Sequence, residues 1–275
     1  MQDKYKVLQH YFGHEQFRPL QEEAVDTILS GQDLLMILPT GGGKSLCYQL
    51  PSLMMSGTTV VISPLLALMH DQVMALQANG INAQMISSMQ DIDTINAIEK
   101  ALYEARVKLL YIAPERFASE RFMQLLHQIE INFFVIDEAH CVSEWGHEFR
   151  DDYRKLGFLK EAFAQTPIAA FTATATQKVQ HDMVAALRLH EPNEIRGSVF
   201  RNNLQINVTP RLKDGKKQLL SFLNNYQNEC GIIYTFTRKQ TESLSHFLQE
   251  KGIKSRPYHA GLETHEKNET FRAFV

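Results

Sequence analysis

A glycine-rich stretch that follows a short apolar run constrains the fold of this 275-residue chain more than any other feature. It reads Leu-Pro-Thr-Gly-Gly-Gly-Lys-Ser from Leu38 to Ser45. A turn of this kind opens a helix and aims backbone N–H groups at phosphate oxygens. Lys44 would neutralise β and γ phosphate oxygens, and the Ser45 hydroxyl would hold magnesium. We therefore predict a nucleoside-triphosphate site that includes Thr40, Gly41, Gly42, Gly43, Lys44 and Ser45.

A second motif supports this prediction. The strict pattern GxxxxGK[ST] is not met, because Leu38 stands where its first glycine belongs, so a plain strand-to-helix turn is an alternative. Farther along, however, the apolar run 133–136 ends in Asp137 and Glu138, and parallel sheets bind ligands at the carboxyl ends of their strands. Asp137 suits a magnesium contact, and Glu138 suits the base that orients and deprotonates water. Alone, this pair also fits a solvated turn; together with the glycine-rich stretch it favours phosphate and magnesium chemistry.

Residues upstream of the turn offer what an adenine ring needs. The Gln21 amide can form two hydrogen bonds with adenine N6 and N7, while the Arg18 plane and the His14 ring can sandwich its faces. Helix capping and surface stacking are the alternative roles for these residues.

The rest of the chain alternates short apolar runs with longer helical patterns, as βαβ units on a parallel sheet do. Predicted helices include 66–79 and 93–105. We expect a core sheet with helices on both faces over most of residues 1–190. Its predicted strands are 34–38, 59–63, 83–86, 108–112, 133–136 and 168–172.

Polar residues, a proline and a glycine between 189 and 197 predict a domain junction near 195–207. A second α/β cycle follows it, with predicted helices 217–226 and 238–251. The predicted strands of this cycle are 204–208, 231–236 and 255–258. Because so few elements make a thin sheet, we expect the second domain to be incomplete.

Composition excludes several classes of protein. The formal net charge of −3 excludes a generally basic nucleic-acid coat but leaves open a local groove of Arg and Lys. No apolar run approaches the roughly 18 residues of a membrane span, and the first residues lack the order of a secretory signal. We expect a cytoplasmic protein that is not in a membrane. Cys47, Cys141 and Cys230 form no CxxC pair, so we expect neither a disulfide framework nor a zinc site.

These motifs resemble those of superfamily 2 helicases, and among them the RecQ family of DNA helicases. Residues 12–21 resemble motif 0 of that family, 39–49 motif I, 63–65 with 71–73 motif Ia, 111–116 motif Ib, 137–140 motif II and 172–174 motif III. The resemblance spans nearly the whole chain. It implies a RecA-like P-loop NTPase domain over residues 1–200 and the N-terminal part of a second RecA-like domain over 201–275. It also implies ATP and Mg²⁺ as cofactors, with Lys44, Asp137, Glu138 and His140 as catalytic residues.

The segment 141–150 resembles an aromatic-rich loop that separates RecQ from other members of the superfamily. It holds Trp145, the only tryptophan, and Phe149, on which a base could stack with a gain of about 1–3 kcal/mol. A core-packing tryptophan is the alternative. By resemblance, DNA-binding or coupling roles fall to Ser63, Trp145, His147, Phe149, Arg150, Thr172, Thr174, Arg238 and His259.

The second domain resembles the family less completely. Residues 232–234 with Arg238, and 258–262, are similar to the motif IV region and the segment after it, but Thr235 and Thr237 stand where Cys and Ser are common. Residues 1–275 contain no motif V, and no motif VI with its arginine finger. The family's zinc-binding module is also missing from them, so we expect no zinc. For this chain we expect weak ATP binding and little hydrolysis or unwinding.

The resemblance implies 3′ to 5′ translocation on single-stranded DNA coupled to ATP hydrolysis. Single-stranded and partly duplex DNA would be the partners, DNA repair and recombination the processes, and a bacterial nucleoid one location. Two alternatives stay open: an RNA helicase or double-strand translocase of the same superfamily, and a non-hydrolysing nucleotide- or DNA-binding module.

Overall fold

One parallel sheet dominates the computed structural model, which describes residues 3–87, 90–146, 148–198, 204–227 and 229–274, without the side chains of 264 and 268. The chain divides into two compact units, Met1–Leu204 and Gln205–Val275. The domain boundary predicted at 200/201 falls among residues 199–203, outside the described residues, and stays a prediction.

The first unit contains a seven-stranded sheet with the order β3-β4-β2-β5-β6-β1-β7, in which every pairing is parallel. Its strands are β1 Leu34–Ile37, β2 Thr58–Ile62, β3 Ala83–Ile86, β4 Leu109–Ile112, β5 Ile131–Ile136, β6 Ile168–Thr172 and β7 Asn193–Arg196. β1, β2, β4 and β6 are buried at every residue, as expected for a sheet that is covered on both faces.

Helices cover both faces of this sheet. Because successive strand residues point to opposite faces, Val60 and Ile62 of β2 join one buried cluster while Val61 joins the other. The helices of the first unit are α1 Lys4–Phe12, α2 Gln21–Leu29, α3 Lys44–Met54, α4 Leu66–Ala78, α5 Ile92–Tyr103, α6 Glu120–Gln128, α7 Asp151–Arg154, α8 Leu159–Ala162 and α9 Gln177–Ala186. The predicted α/β fold, a RecA-like parallel sheet with helices on both faces, is confirmed.

Local chemistry explains several helix starts. The side chains of Asp3, Asp91, Ser119 and Thr176 accept hydrogen bonds from N–H groups in the first turns of α1, α5, α6 and α9. Such caps satisfy donors that have no partner within the helix itself.

One strand was missed. Residues 193–196 overlap the start of the domain junction predicted near 195–207. They form β7, which pairs with β1 at the edge of the sheet. Only Ile195 of this strand is buried, and Pro192 precedes it, so the strand has neither the apolar run nor the clean alternation that identifies strands in sequence.

The second unit contains α10 Gly215–Leu223, α11 Arg238–Glu250 and α12 Thr264–Phe274. The strands predicted at 204–208, 231–236 and 255–258 are wrong for the described residues, which form no strand there. Alternating apolar residues make a strand only where a neighbour supplies hydrogen bonds and an apolar layer covers one face. Val208, Tyr234 and Phe236 instead remain almost fully exposed.

Among the described residues, no helix combines the length and the apolar character needed to cross a membrane.

Candidate active site

Three neighbouring strands of the first unit end beside one another. β5, β6 and β1 are adjacent in the sheet. Their carboxyl ends lead into Asp137, Thr172 and the glycine-rich turn after Ile37. Since this edge of a parallel sheet is where α/β proteins bind ligands, the sheet order places the predicted nucleotide residues at one site.

The glycine-rich turn needs its glycines for conformation and for space. Gly41 and Gly43 have φ of 83° and 81°, a left-handed conformation that favours glycine. A Cβ at Gly42 would lie 2.6 Å from Cγ of Leu38, the residue that replaces the first glycine of the strict pattern. The side chain of Leu38 therefore occupies the space that a side chain at position 42 would need, so Gly42 must be a glycine.

Lys44 and Ser45 begin α3 and are both partly buried. The ammonium group of Lys44 donates a hydrogen bond to the Leu38 carbonyl at 3.0 Å, which folds the side chain back over the turn. The first N–H groups of α3 have no partner within their own helix. This arrangement can bind a phosphate group.

Gln21 and Arg18 hold the glycine-rich turn in place through hydrogen bonds to its carbonyl groups. Gln21 is buried, and its amide nitrogen donates to the carbonyls of Gly43 at 3.1 Å and Gly42 at 3.3 Å. Its amide oxygen accepts a hydrogen bond from the Arg18 N–H at 2.8 Å, and the Arg18 guanidinium donates to the Gly41 carbonyl at 2.8 Å. To bind adenine, the Gln21 amide would therefore have to give up hydrogen bonds with Arg18, Gly42 and Gly43 and form hydrogen bonds with the base instead.

A cavity of about 300 Å³ lies next to Gln21 and Arg18. Its lining includes all three predicted adenine contacts and the start of α3: His14, Gln16, Arg18, Gln21, Gly43 and Ser45. Its volume lies at the lower end of the range for small-molecule sites.

The two carboxylates after β5 are in different electrostatic states. Burial, and next the charge of Glu138, raise the pKa of Asp137 to about 6. A hydrogen bond with His140 lowers the pKa of Glu138. Glu138 is thus ionised near neutral pH and able to accept a proton, whereas Asp137 carries a charge that its surroundings disfavour.

Asp137 therefore meets one condition for a magnesium ligand. The N–H of Glu138 donates to its Oδ1 at 3.0 Å, yet no ion pair with a Lys or Arg is found for its carboxylate among the described residues. A divalent cation bound with Ser45 would relieve the cost of this buried charge, so the residues present fit Mg²⁺.

His140 links the motif after β5 to the end of β6. Its Nδ1 lies 2.9 Å from Oγ1 of Thr172 and 3.3 Å from Oε2 of Glu138. The Thr172 hydroxyl in turn donates to the Thr174 carbonyl at 3.2 Å. Contacts with the Cys141 thiol and with Glu138 raise the pKa of His140. The predicted coupling residues His140, Thr172 and Thr174 thus form one hydrogen-bonded chain.

The aromatic-rich loop presents its tryptophan to solvent. Trp145 is 61% exposed, so it is not the core-packing residue of the alternative interpretation, and Phe149 is also exposed. Arg150 points back into the unit, where its guanidinium donates to the Pro64 carbonyl at 3.1 Å, next to the buried Ser63. The prediction for His147 lies outside the described residues.

Two residues near the site had no signal in the sequence. The ammonium group of Lys178, in the first turn of α9, lies 2.9 Å from the ring centroid of Trp145, a cation–π contact. The hydroxyl of the buried Tyr153 donates to the Asp137 carbonyl at 3.1 Å. Neither contact follows a motif, because each joins segments that only the fold brings together.

The predicted residues of the second unit lie near each other. His259 Nε2 is 3.1 Å from Oε1 of Glu242, and His259 Nδ1 accepts a hydrogen bond from the Gly261 N–H at 3.2 Å. A Cβ at Gly261 would come within 3.0 Å of the Arg238 guanidinium. Arg238 and His259 therefore belong to one polar cluster at the start of α11.

Comparisons with known proteins agree with the motifs. The family model described as DEAD/DEAH box helicase matches residues 18–182. The chain is 42% identical over 268 residues to the ATP-dependent DNA helicase RecQ of Pasteurella multocida. The aligned region covers 98% of this chain and 42% of that protein. It is 40% identical over 271 residues to the protein of the same name from Bacillus subtilis, with 98% and 46% covered. These similarities confirm the RecQ resemblance.

Among solved structures, the DNA-bound DUF1998 helicase MrfA superposes with a TM-score of 0.70 at 16% identity and covers 99% of this chain and 42% of that one. At this identity the likeness concerns the fold alone.

Proposed function

Because the chain belongs to the DEAD/DEAH box helicase family, we propose that it is the motor part of an ATP-dependent DNA helicase of the RecQ type. The chain spans 42% of the length of the RecQ relative from Pasteurella multocida. That this chain shares the helicase activity of such a full-length protein is therefore proposed. Translocation from 3′ to 5′ and roles in DNA repair and recombination are proposed on the resemblance alone. The cytoplasmic location expected from the sequence stays a proposal.

The convergence of three strand ends carries the proposal. The turn with Lys44, the pair Asp137 and Glu138, and the chain from His140 to Thr172 adjoin one another at one edge of the sheet. Phosphoryl transfer needs positioned charge more than covalent chemistry, and these groups are positioned by the sheet itself.

The residues divide the work as follows. Lys44 and the N-terminus of α3 bind the phosphates. Asp137 and Ser45 would hold Mg²⁺, which when bound neutralises charge on the β and γ phosphates. Glu138, kept ionised by its hydrogen bond with His140, orients a water molecule and accepts its proton. Water activation therefore depends on the contact between Glu138 and His140.

His140 also supplies a route from hydrolysis to DNA. It contacts the catalytic Glu138 on one side and Thr172, at the end of β6, on the other. The aromatic-rich loop begins at the next residue and exposes Trp145 to solvent, where a base can stack. We propose that single-stranded or partly duplex DNA bound at Trp145 acts on Glu138 through this loop.

We also propose that ATP turnover by residues 1–275 alone is low. Arginine fingers contribute a factor of roughly 10³–10⁵ to the rate in related NTPases. No segment of these residues resembles the motif that supplies one.

Hydrolysis of ATP in the presence and absence of single-stranded DNA tests the proposal. The blank is Glu138→Gln, which removes the base while keeping the side-chain shape, so it should bind ATP but hydrolyse none. We expect stimulation by DNA above this blank. A stronger stimulation by RNA would favour an RNA helicase, and ATP binding with turnover equal to the blank would favour a non-hydrolysing module.

A further inference from the structure

Three side chains of different chemistry meet beside the catalytic carboxylates. His140 Nε2 lies 3.9 Å from Sγ of Cys141 and 4.0 Å from Oε2 of Glu148. One ligand atom from each residue lies within 4.8 Å of the other two, and in the part of the chain that the structure describes no other group of three His, Cys, Asp or Glu does so. Nothing in the proposed hydrolysis uses Cys141 or Glu148.

The hydrogen bonds of His140 leave Nε2 available as a ligand. The Thr172 hydroxyl donates its hydrogen to the Thr174 carbonyl, so its oxygen must accept from Nδ1 of His140. Glu138, an ionised carboxylate, is an acceptor on the same nitrogen. Nδ1 therefore carries a hydrogen, so a metal ion would bind at Nε2, which faces Cys141 and Glu148, in place of the hydrogen that the raised pKa of His140 keeps there.

This is the arrangement found around histidine ligands of metal ions. A ligating histidine usually donates its other ring N–H to a carboxylate or a similar acceptor, which fixes the tautomer and the ring orientation. Here Glu138 and Thr172 already hold the ring in that way.

The distances fit a tetrahedral ion after a small movement. With Zn–N of about 2.0 Å and Zn–S of about 2.3 Å, the nitrogen and sulfur of a tetrahedral site lie about 3.5 Å apart. The observed 3.9 Å is close to this value. The Glu148 side chain is 61% exposed and can move toward the other two, while Cys141 is fully buried and fixed. A water molecule would complete the coordination.

We propose that His140, Cys141 and Glu148 form a site for a borderline-soft divalent cation such as Zn²⁺. The sulfur and nitrogen ligands favour Zn²⁺ over Mg²⁺, which prefers oxygen, so the magnesium of the nucleotide would not compete for this site. On binding, the Cys141 thiol and Nε2 of His140 each lose a proton to solvent, and the thiolate and the ring nitrogen form the bonds to the metal. The sequence has no CxxC pair and so predicted no zinc site. That test does not detect this site, because two of its ligands, His140 and Cys141, are adjacent in the chain.

A bound cation would inhibit hydrolysis. It would fix His140, and with it the contacts of His140 with the catalytic Glu138 and with Thr172, which could then no longer change during turnover. It would also tie the aromatic-rich loop at Glu148. This consequence rests on the proposed function, whereas metal binding itself does not.

Titration with Co²⁺ alone provides a readout that is independent of ATP. We expect one Co²⁺ per chain, with a thiolate-to-cobalt charge-transfer absorption that added Zn²⁺ displaces. Cys141→Ser should abolish this absorption, and Cys230→Ser, which removes the exposed cysteine of the second unit, should leave it unchanged. A band that is missing in the wild type, or that depends on Cys230, would overturn the proposal.

Glu148→Gln keeps the test decisive if Cys141→Ser fails to fold, because this exposed side chain can be replaced without disturbing the core. It should weaken Zn²⁺ binding by about tenfold or more, while Glu144→Gln, a neighbouring exposed acid, should not. Equal Zn²⁺ affinity of the Glu148→Gln variant and the wild type would contradict the site. Where hydrolysis is measurable, Zn²⁺ should inhibit the wild type at concentrations that leave Glu148→Gln active.

Discussion

At the scale of single residues, the candidate site holds charge in an unfavourable place. Asp137 is the example: burial and the neighbouring Glu138 raise its pKa to about 6, well above the value of about 3.9 for an exposed Asp. Functional sites often keep such groups at a cost in stability. On the proposed function, a bound Mg²⁺ would offset this cost at Asp137.

This cost can be measured with Asp137→Asn in the absence of metal. Because the native pKa lies above the unfolded one, the wild type loses stability as pH rises from about 4 to about 6 and is penalised at all higher pH. We expect the variant to raise the free energy of unfolding by about 1–3 kcal/mol at pH 7.5 and by much less at pH 4.5, measured by urea denaturation.

Asp71→Asn, an exposed carboxyl of α4, serves as the control and should change stability little at either pH. A destabilised Asp137→Asn at pH 7.5 would mean that the Asp137 carboxylate is stabilised by its surroundings.

Trp145 permits a second test at the residue scale. If a base stacks on its exposed ring, Trp145→Ala should weaken the binding of single-stranded DNA by about 1–3 kcal/mol, measured by anisotropy of a labelled oligonucleotide. Tyr103→Ala removes an aromatic ring of similar exposure from the end of α5 and should have no effect. Equal losses in the two variants would remove Trp145 from the DNA interface.

At the scale of elements, one buried carboxylate ties together the starts of two adjacent strands. Asp33 is 3% exposed and precedes β1; it accepts hydrogen bonds from the N–H groups of Ile168, at the start of β6, and His190. The Lys160 ammonium also donates to it at 2.7 Å. Asp33 therefore aligns the amino ends of strands whose carboxyl ends carry the site.

Asp33→Ala should destabilise the protein by about 3–5 kcal/mol, because it leaves buried donors and a partly buried cation without a partner. Chemical denaturation measures the effect. In the double variant with Lys160→Met the loss should be smaller than the sum of the single losses, since the two residues share an interaction. Lys155→Met, which affects an exposed ion pair with Asp152, should cost less than about 1 kcal/mol.

Most strands of the first unit were predictable from the sequence, including β3 at one edge of the sheet, whose predicted bounds 83–86 are the observed ones, but β7 at the other edge was not. The pattern at 168–172 gave β6 with its observed bounds, and that at 108–112 gave β4 to within one residue. Both are buried runs, which any covered parallel strand requires. β7, at the edge, has one buried residue and so carried no such signal.

At the scale of the whole molecule, the two units differ in what they bury. The first has a complete sheet between two apolar clusters. In the described part of the second, only Ser245 and Leu248 are buried. Local opening is easiest where few apolar contacts must be broken.

Limited digestion with trypsin should therefore cut the second unit first, for example at Lys216 or Lys217, which are both exposed in α10. Mass spectrometry should find a product close to residues 1–204 that outlasts the full chain. Equal survival of both units would show that the second unit is as stable as the first.

The sequence by itself determined the fold class and the family, and it named the candidate residues of the site. These depend on local patterns: an apolar run that must be a buried strand, and the turn or carboxylate pair that follows it. Lys44, Asp137 and Glu138 could be named from such patterns alone.

Only the tertiary structure decided how those residues behave. Four features depend on it: the hydrogen bonds of Gln21 to the glycine-rich turn, the opposite pKa shifts of Asp137 and Glu138, the contact of the Lys178 ammonium with Trp145, and the exposed apolar segments of the second unit. The physical reason is that burial, hydrogen bonding and charge act through space. The partners concerned are often tens of residues apart in the chain, and no local pattern records which of them meet.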